Sequence, residues 1–208
     1  MPIQEYIAPG EILEMKLEKS FGYAYIKFMD VEEEYRDKGR KFFLMDFHSN
    51  VSIDDIDVKR IKPLINYVNI GGAVPFVGKY KLRRVGIQNE DSFLDYLIYR
   101  ASRFLLSIPF DRSESSWIIE NYDQSKKTVY YPLEQIQHLP VGIVFSIKSI
   151  NSLFTMIWIR RLGEDILDYY SKEELANNFW LMNDYNFAKD VVFLETVPEE
   201  YWFKPIPN

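Results

Sequence analysis

Apolar and charged residues interleave along the first third of the chain in a way that predicts β-structure. A Pro9-Gly10 turn signal precedes residues 11–17, where charged side chains are interspersed with Ile12, Leu13, Met15 and Leu17. A polar break, Glu18-Lys19-Ser20, separates this run from residues 21–29, which carry Tyr23, Tyr25 and Ile26. Two such runs around a short polar turn predict an antiparallel hairpin, with Gly22 permitting a bulge or a tight backbone. Residues 30–38 read as a charged loop, and Phe42, Phe43, Leu44, Met45 and Phe47 then predict a third strand of the same sheet.

Helical spacing appears further on. Ser52-Ile53-Asp54-Asp55 offers a helix start, followed by a ragged apolar period at Ile53, Ile56, Ile61 and Leu64 that Pro63 should limit. Residues 64–70 predict a strand before the Gly71-Gly72 break, and residues 75–80 read as a loop. Asn89-Glu90-Asp91-Ser92 has capping character, and Phe93, Tyr96, Leu97, Arg100 and Phe104 predict an amphipathic helix behind it. Residues 116–122 and 128–131 flank a polar turn and predict a second hairpin. A short segment at 133–138 leads to a buried strand at 141–145. Ile150, Leu153, Phe154, Ile157 and Trp158 predict a long core helix over 149–162, stopped by Gly163. Ser171 and Glu174, three apart, form a capping-box-like start that opens a last helix through about residue 178 or beyond, and the Pro-rich tail 197–208 reads as irregular.

These elements define an α+β protein: a mainly antiparallel, twisted β-sheet core with several packed helices. No repeat or low-complexity tract interrupts the chain, and no linker is rich enough in Gly, Ser or Pro to force independent domains. The weakest point is residues 111–116, readable as a loop between parts of one sheet.

Composition changes the picture mainly by exclusion. The chain has no cysteine, which removes disulfides, thiol nucleophiles and thiolate metal sites together. It has only two histidines. His48 stands beside Ser49, but neighbouring strand residues point to opposite faces, so they make a poor catalytic dyad. His138, just before Leu139-Pro140, reads as a loop or packed histidine. Asp54, Asp55 and Asp57 lack the glycine and distal glutamate of a calcium loop. The glycines do not form a phosphate-cradling motif. The expectation is therefore no catalytic residue, no metal and no cofactor.

A net charge of −6 disfavours nucleic acid as a partner, because phosphate contacts need a basic face. Solvation accounts for such acidity, and complementarity to a basic partner is its sharper reading. The N-terminus has neither a basic nor an apolar signal region, and the longest apolar runs, 153–159 and 141–145, are too short to span a bilayer. A cytoplasmic protein with no membrane partner is expected.

One stretch carries a family resemblance. Pro9-Gly10-Glu11-Ile12-Leu13-Glu14-Met15, followed by Phe21-Gly22-Tyr23-Ala24-Tyr25-Ile26-Lys27, resembles the opening of the immunity protein 26 family. Pro75-Phe76-Val77-Gly78 with Arg84-Val85-Gly86 is similar to that family's middle loop and the element after it. Trp117-Ile118-Ile119 and Leu139-Pro140 fit its second half. The resemblance covers residues 1–165, leaving 166–208 as a C-terminal helical extension packed on the same domain. The predicted helix around residues 91–104 departs from the family pattern, where a shorter connection is expected. The resemblance implies a bacterial immunity protein that binds and neutralises a cognate protein toxin of a polymorphic toxin system, without catalytic residues.

Toxin binding would place a basic, nuclease-like partner against an acidic surface. The loop residues Asp30, Glu32, Glu33, Glu34 and Tyr35 are the expected partner-binding set. The alternative is an enzyme acting on a small polar substrate through two carboxylates, which requires an acid in a desolvating pocket. Stacking of nucleic acid on Tyr23, Tyr25 and Phe43 would need an adjoining basic groove. Oligomeric state is left open by the sequence.

Overall fold

The computed structural model describes residues 7–29, 40–54, 56–71, 82–88, 98–102, 117–121, 129–140, 144–146 and 150–207. The interleaved runs at its start form the expected hairpin of β1 (Glu11–Lys16) and β2 (Tyr23–Met29), antiparallel with Leu13 opposite Ile26. The turn between them has Lys19 at φ 51° and Ser20 at φ 63°, both left-handed, closed by Phe21 N–H donating to Glu18 O. Positive φ at both central residues is the geometry that matches the twist of a two-residue hairpin, but Lys and Ser adopt it at a cost. Tertiary contacts offset that cost. Glu18 N–H donates to Thr155 Oγ1, and Lys19 Nζ lies 3.2 Å from Glu174 and 4.7 Å above the Tyr170 ring. Gly22, at φ 77°, follows immediately; a Cβ there would sit 2.3 Å from Ser49 O, so only glycine fits.

β3 (Arg40–Ser49) pairs antiparallel with β2 and then with β4 (Val68–Gly71). On the far side of the hairpin β5 (Leu82–Ile87) pairs antiparallel with β1. β6 (Ile98–Ser102), β7 (Trp117–Asn121) and β8 (Val129–Tyr130) form a separate three-stranded antiparallel sheet. After the short helix α1 (Leu133–Ile136), β9 (Val144–Ser146) joins the first sheet parallel to β4. The main sheet therefore runs β5-β1-β2-β3-β4-β9, antiparallel except at its last pair.

Two expected helices are corrected. Among the described residues of 52–64 there is no helix beyond a single 3-10 turn at Val58–Arg60. The proposed cap residues are drawn into tertiary bonds instead: Ser52 Oγ and Ile53 N–H both donate to Glu14, and Asp54 pairs with Arg83. Within residues 93–104, the described part, Ile98–Ser102, is strand β6. Five residues of cross-strand pairing with β7 outweigh the local helical spacing there. The strand expected at 64–70 is displaced to Val68–Gly71, and the loop expected at 75–80 lies outside the described residues.

The helices follow the pattern more closely. α2 (Ile150–Arg161) is buried almost all round, with Leu153, Phe154, Met156, Ile157 and Ile159 fully buried. A helix whose apolar residues point in several directions must be covered on several sides. One side meets the sheet residues Leu13, Ala24, Ile26, Phe28, Phe42 and Leu44 in a single cluster, and another meets α4 (Phe179–Asp190). Gly163, at φ 80°, ends α2 as expected. Ser171 Oγ accepts from Glu174 N–H to start α3 (Lys172–Ala176), and Asn178 then caps a separate α4 through Trp180 and Leu181 N–H. The chain that reads as one last helix is two.

Among the described residues, no helix is long and apolar enough to cross a membrane.

Candidate functional site

The face of the main sheet opposite α2 carries a cluster of buried charged residues. Strand alternation places Ile12 and Glu14 of β1 on it, with Tyr25 and Lys27 of β2, Lys41, Phe43 and Met45 of β3, and Arg83 of β5. Glu14 is 3% exposed, and Lys27 and Lys41 are likewise buried. The Lys41 ammonium lies 4.9 Å from the centre of the Tyr67 ring.

Glu14 is the hub. Its Oε1 accepts from Ser52 Oγ (2.7 Å) and Arg83 Nε (2.9 Å). Its Oε2 accepts from Tyr25 Oη (2.8 Å), Arg83 Nη2 (3.0 Å) and Ile53 N–H (3.1 Å). Five donors fill the lone-pair positions of one carboxylate. Burial alone would raise the Glu14 carboxyl, but the bonds from Arg83, Ser52, Tyr25 and Ile53 outweigh it and hold the group at about 2. Burial and the adjoining Glu14 carboxylate together push the Tyr25 hydroxyl up. Arg83 extends the network outward, donating to Asp54 Oδ1 (2.7 Å) and Ile53 O (2.6 Å). The arrangement joins β1, β2, β5 and segment 52–54 through one charge. A carboxylate so saturated neither takes nor gives a proton near neutral pH, so it suits a clamp and not a general acid or base.

The two histidines are also committed to structure. His48 Nε2 bonds Phe21 O, and its ring lies 5.1 Å from that of Trp158. Buried His138 holds the tail, its Nε2 reaching Tyr201 O at 2.7 Å and Lys204 O at 2.9 Å. Asn66 Nδ2 donates to Trp202 O at 2.6 Å, and Phe203 packs edge-on against Phe43. These contacts tie the end of the chain to the same sheet face. No group of three His, Asp or Glu suited to a metal occurs among the described residues.

The outer surface differs where α3 meets α4. Phe179 and Trp180 open α4 with 64% and 58% of their surface exposed, their rings edge-to-face at 5.4 Å. Other exposed large apolar residues, Val51 and Ile87, lie on a turn and on a strand end. Leading into the aromatic pair, residues 162–180 expose Leu162 and carry Glu164, Asp165, Asp168, Glu173 and Glu174 against the single basic residue Lys172. From Ser171 to Trp180 every side chain except Leu175 is exposed.

The sequence contained a signal for this pair that period-counting over 149–178 did not reach. Phe179-Trp180-Leu181-Met182 is four apolar residues in succession, and consecutive helical positions turn by roughly 100°. A single buried stripe cannot hold all four. Leu181 goes inward, Met182 is half-buried, and the first two face out. The expected contact residues Asp30, Glu32, Glu33, Glu34 and Tyr35 fall in the connection between β2 and β3, outside the described residues.

No protein-family model matches the chain, and no curated protein or solved structure matches it.

Proposed function

We propose that this chain is a cytoplasmic immunity protein, binding and neutralising a cognate toxin of a bacterial polymorphic toxin system by protein–protein contact. The observation that carries the binding reading is the solvent-facing Phe179–Trp180 pair. Aromatic side chains with few rotatable bonds are the residues that anchor protein interfaces, and leaving two of them in water costs the free protein solubility. The resemblance of residues 9–27 to the immunity protein 26 family supplies the toxin as the class of partner. The chemistry of the buried face supports the same direction. Glu14, the buried acid at the hub of that face, is spent on five internal hydrogen bonds and held at about 2.

Titration of the purified full chain with the toxin domain encoded beside its gene tests the proposal. A complex with a dissociation constant below micromolar and loss of toxin activity at equimolar ratio are expected. No complex at micromolar concentration would sink the reading.

A further inference from the structure

The position of the exposed aromatic pair allows the partner to be specified further. We infer that the α3–α4 junction is a docking surface for a basic protein, with Phe179 and Trp180 inserted into an apolar cleft whose rim carries Lys or Arg; this inference rests on the protein-binding reading above.

Three features converge on it. The two rings are adjacent, fix each other edge-to-face, and stand on the first turn of a helix anchored beneath by Leu181 and Phe187. They are therefore pre-positioned, which reduces the ordering cost of binding. The Asn178 side chain accepts from both Trp180 and Leu181 N–H, fixing the backbone under the pair. The flanking exposed segment carries Asp168, Glu173 and Glu174 just before the pair, with Lys172 as its own basic residue and Lys19 paired to Glu174.

Charge decides between occupants. A second copy of this chain would bring the same acidic segment against itself across a two-fold axis, and like charges facing one another disfavour that pairing. An acidic or phosphate-bearing partner is disfavoured for the same reason. A basic surface gains from steering on approach and then from covering the two rings. Part of the acidity is committed internally, Glu174 to Lys19 and Glu164 to the Tyr169 hydroxyl. Asp168 and Glu173 are the residues expected to face the partner's rim.

The test uses two probes, so that the surface and the toxin reading fail separately. The first is an immobilised amphipathic helical peptide of alternating Leu and Lys clusters, with a Leu/Glu peptide of the same pattern as control. The second is the toxin domain encoded beside the gene. Wild-type chain should bind the Leu/Lys peptide and not the Leu/Glu peptide, and the double variant F179A/W180A should weaken that binding about 30-fold. Val51→Ser, which removes an exposed apolar residue elsewhere, should leave it within about twofold. The same ratios should hold for the toxin, with association slowed about tenfold between 50 and 500 mM salt. Thermal melts of the double variant should match wild type, because both rings are outside the core. Equal binding of the peptide by wild type and double variant would overturn the surface, whatever the toxin does. A wild-type dimer in sedimentation that F179A/W180A converts to monomer would overturn the choice of partner. Toxin that fails to bind while the peptide result holds would remove the immunity reading and keep the surface.

Discussion

The two faces of the main sheet are built on opposite principles. The face under α2 is mainly apolar: Leu13, Met15, Ala24, Ile26, Phe28, Phe42 and Leu44 interlock with Leu153, Phe154 and Ile157, with His48 beside Trp158 and the Ser152–Asp184 bond as its polar exceptions. The other face mixes Ile12, Met29, Phe43 and Met45 with Glu14, Tyr25, Lys27, Lys41 and Tyr67. Its cover comes from segment 52–61 and the tail near Phe203 in place of a long helix. An apolar face needs only volume to be filled. A polar face covered by irregular chain needs every buried donor and acceptor matched, since an unmatched one costs about 1–3 kcal/mol. The first face supplies bulk stability, while the second determines which loop lies where.

Substitutions can break each face separately. Phe154→Ala should cost the most, about 4 kcal/mol of unfolding free energy, because it opens a cavity in a core that α2 closes from above. Denaturant titration should show a lower midpoint with an unchanged slope. A loss under 1 kcal/mol would mean that the helix face is not the main source of stability.

Glu14→Gln should cost about 2 kcal/mol at neutral pH, because a neutral amide replaces the buried carboxylate that accepts from the partly solvated Arg83. Here pH separates the two faces. The Glu14 carboxyl is held at about 2, below its ordinary 4.5, so its contribution is complete above about pH 4.5 and fades as pH falls toward 2. The gap in stability between wild type and Glu14→Gln should therefore narrow across that window, whereas the gap for Phe154→Ala should stay constant. Parallel curves for Glu14→Gln would remove the clamp.

The smallest effect is expected from Tyr25→Phe. It removes one of five donors to Glu14 and keeps the ring that packs 5.0 Å from Phe47, for a loss of about 1 kcal/mol. Hydrogen exchange at the amides of residues 52–54 should quicken at the same time, since those residues hang on the same carboxylate. Exchange that quickens instead in α2 would show that the two faces are coupled.

The elements that could be read from the chain were those whose local pattern and tertiary fate agree. The β1–β2 hairpin, the β7–β8 hairpin, α2 with its Gly163 stop, and the Ser171 cap all lie where polarity and turn chemistry place them. Those misread were overridden by distant partners. Ser52 and Asp54 carry capping side chains, but Glu14 and Arg83, far away in sequence, took their hydrogen bonds. Residues 98–102 lie in a stretch of helical apolar spacing, but β7 offered them a ladder. The acidity of the chain pointed to a charged contact surface and the loop at Asp30–Tyr35 was the obvious place for it; the described structure directs attention to α3 and α4, where acids adjoin exposed aromatics.

The sequence by itself determined the α+β class, the hairpins and the apolar core helix, because period and turn residues act over a few positions. It also settled that no thiol chemistry is available. Only the tertiary structure decided that Glu14, one charged residue in an alternating strand, would be buried and saturated, since burial depends on what covers a face and not on the strand's own pattern. Tertiary packing likewise turned Leu181 inward and left Phe179 and Trp180 in water: α4 has one side to give to α2, and four apolar residues in a row cannot all share it.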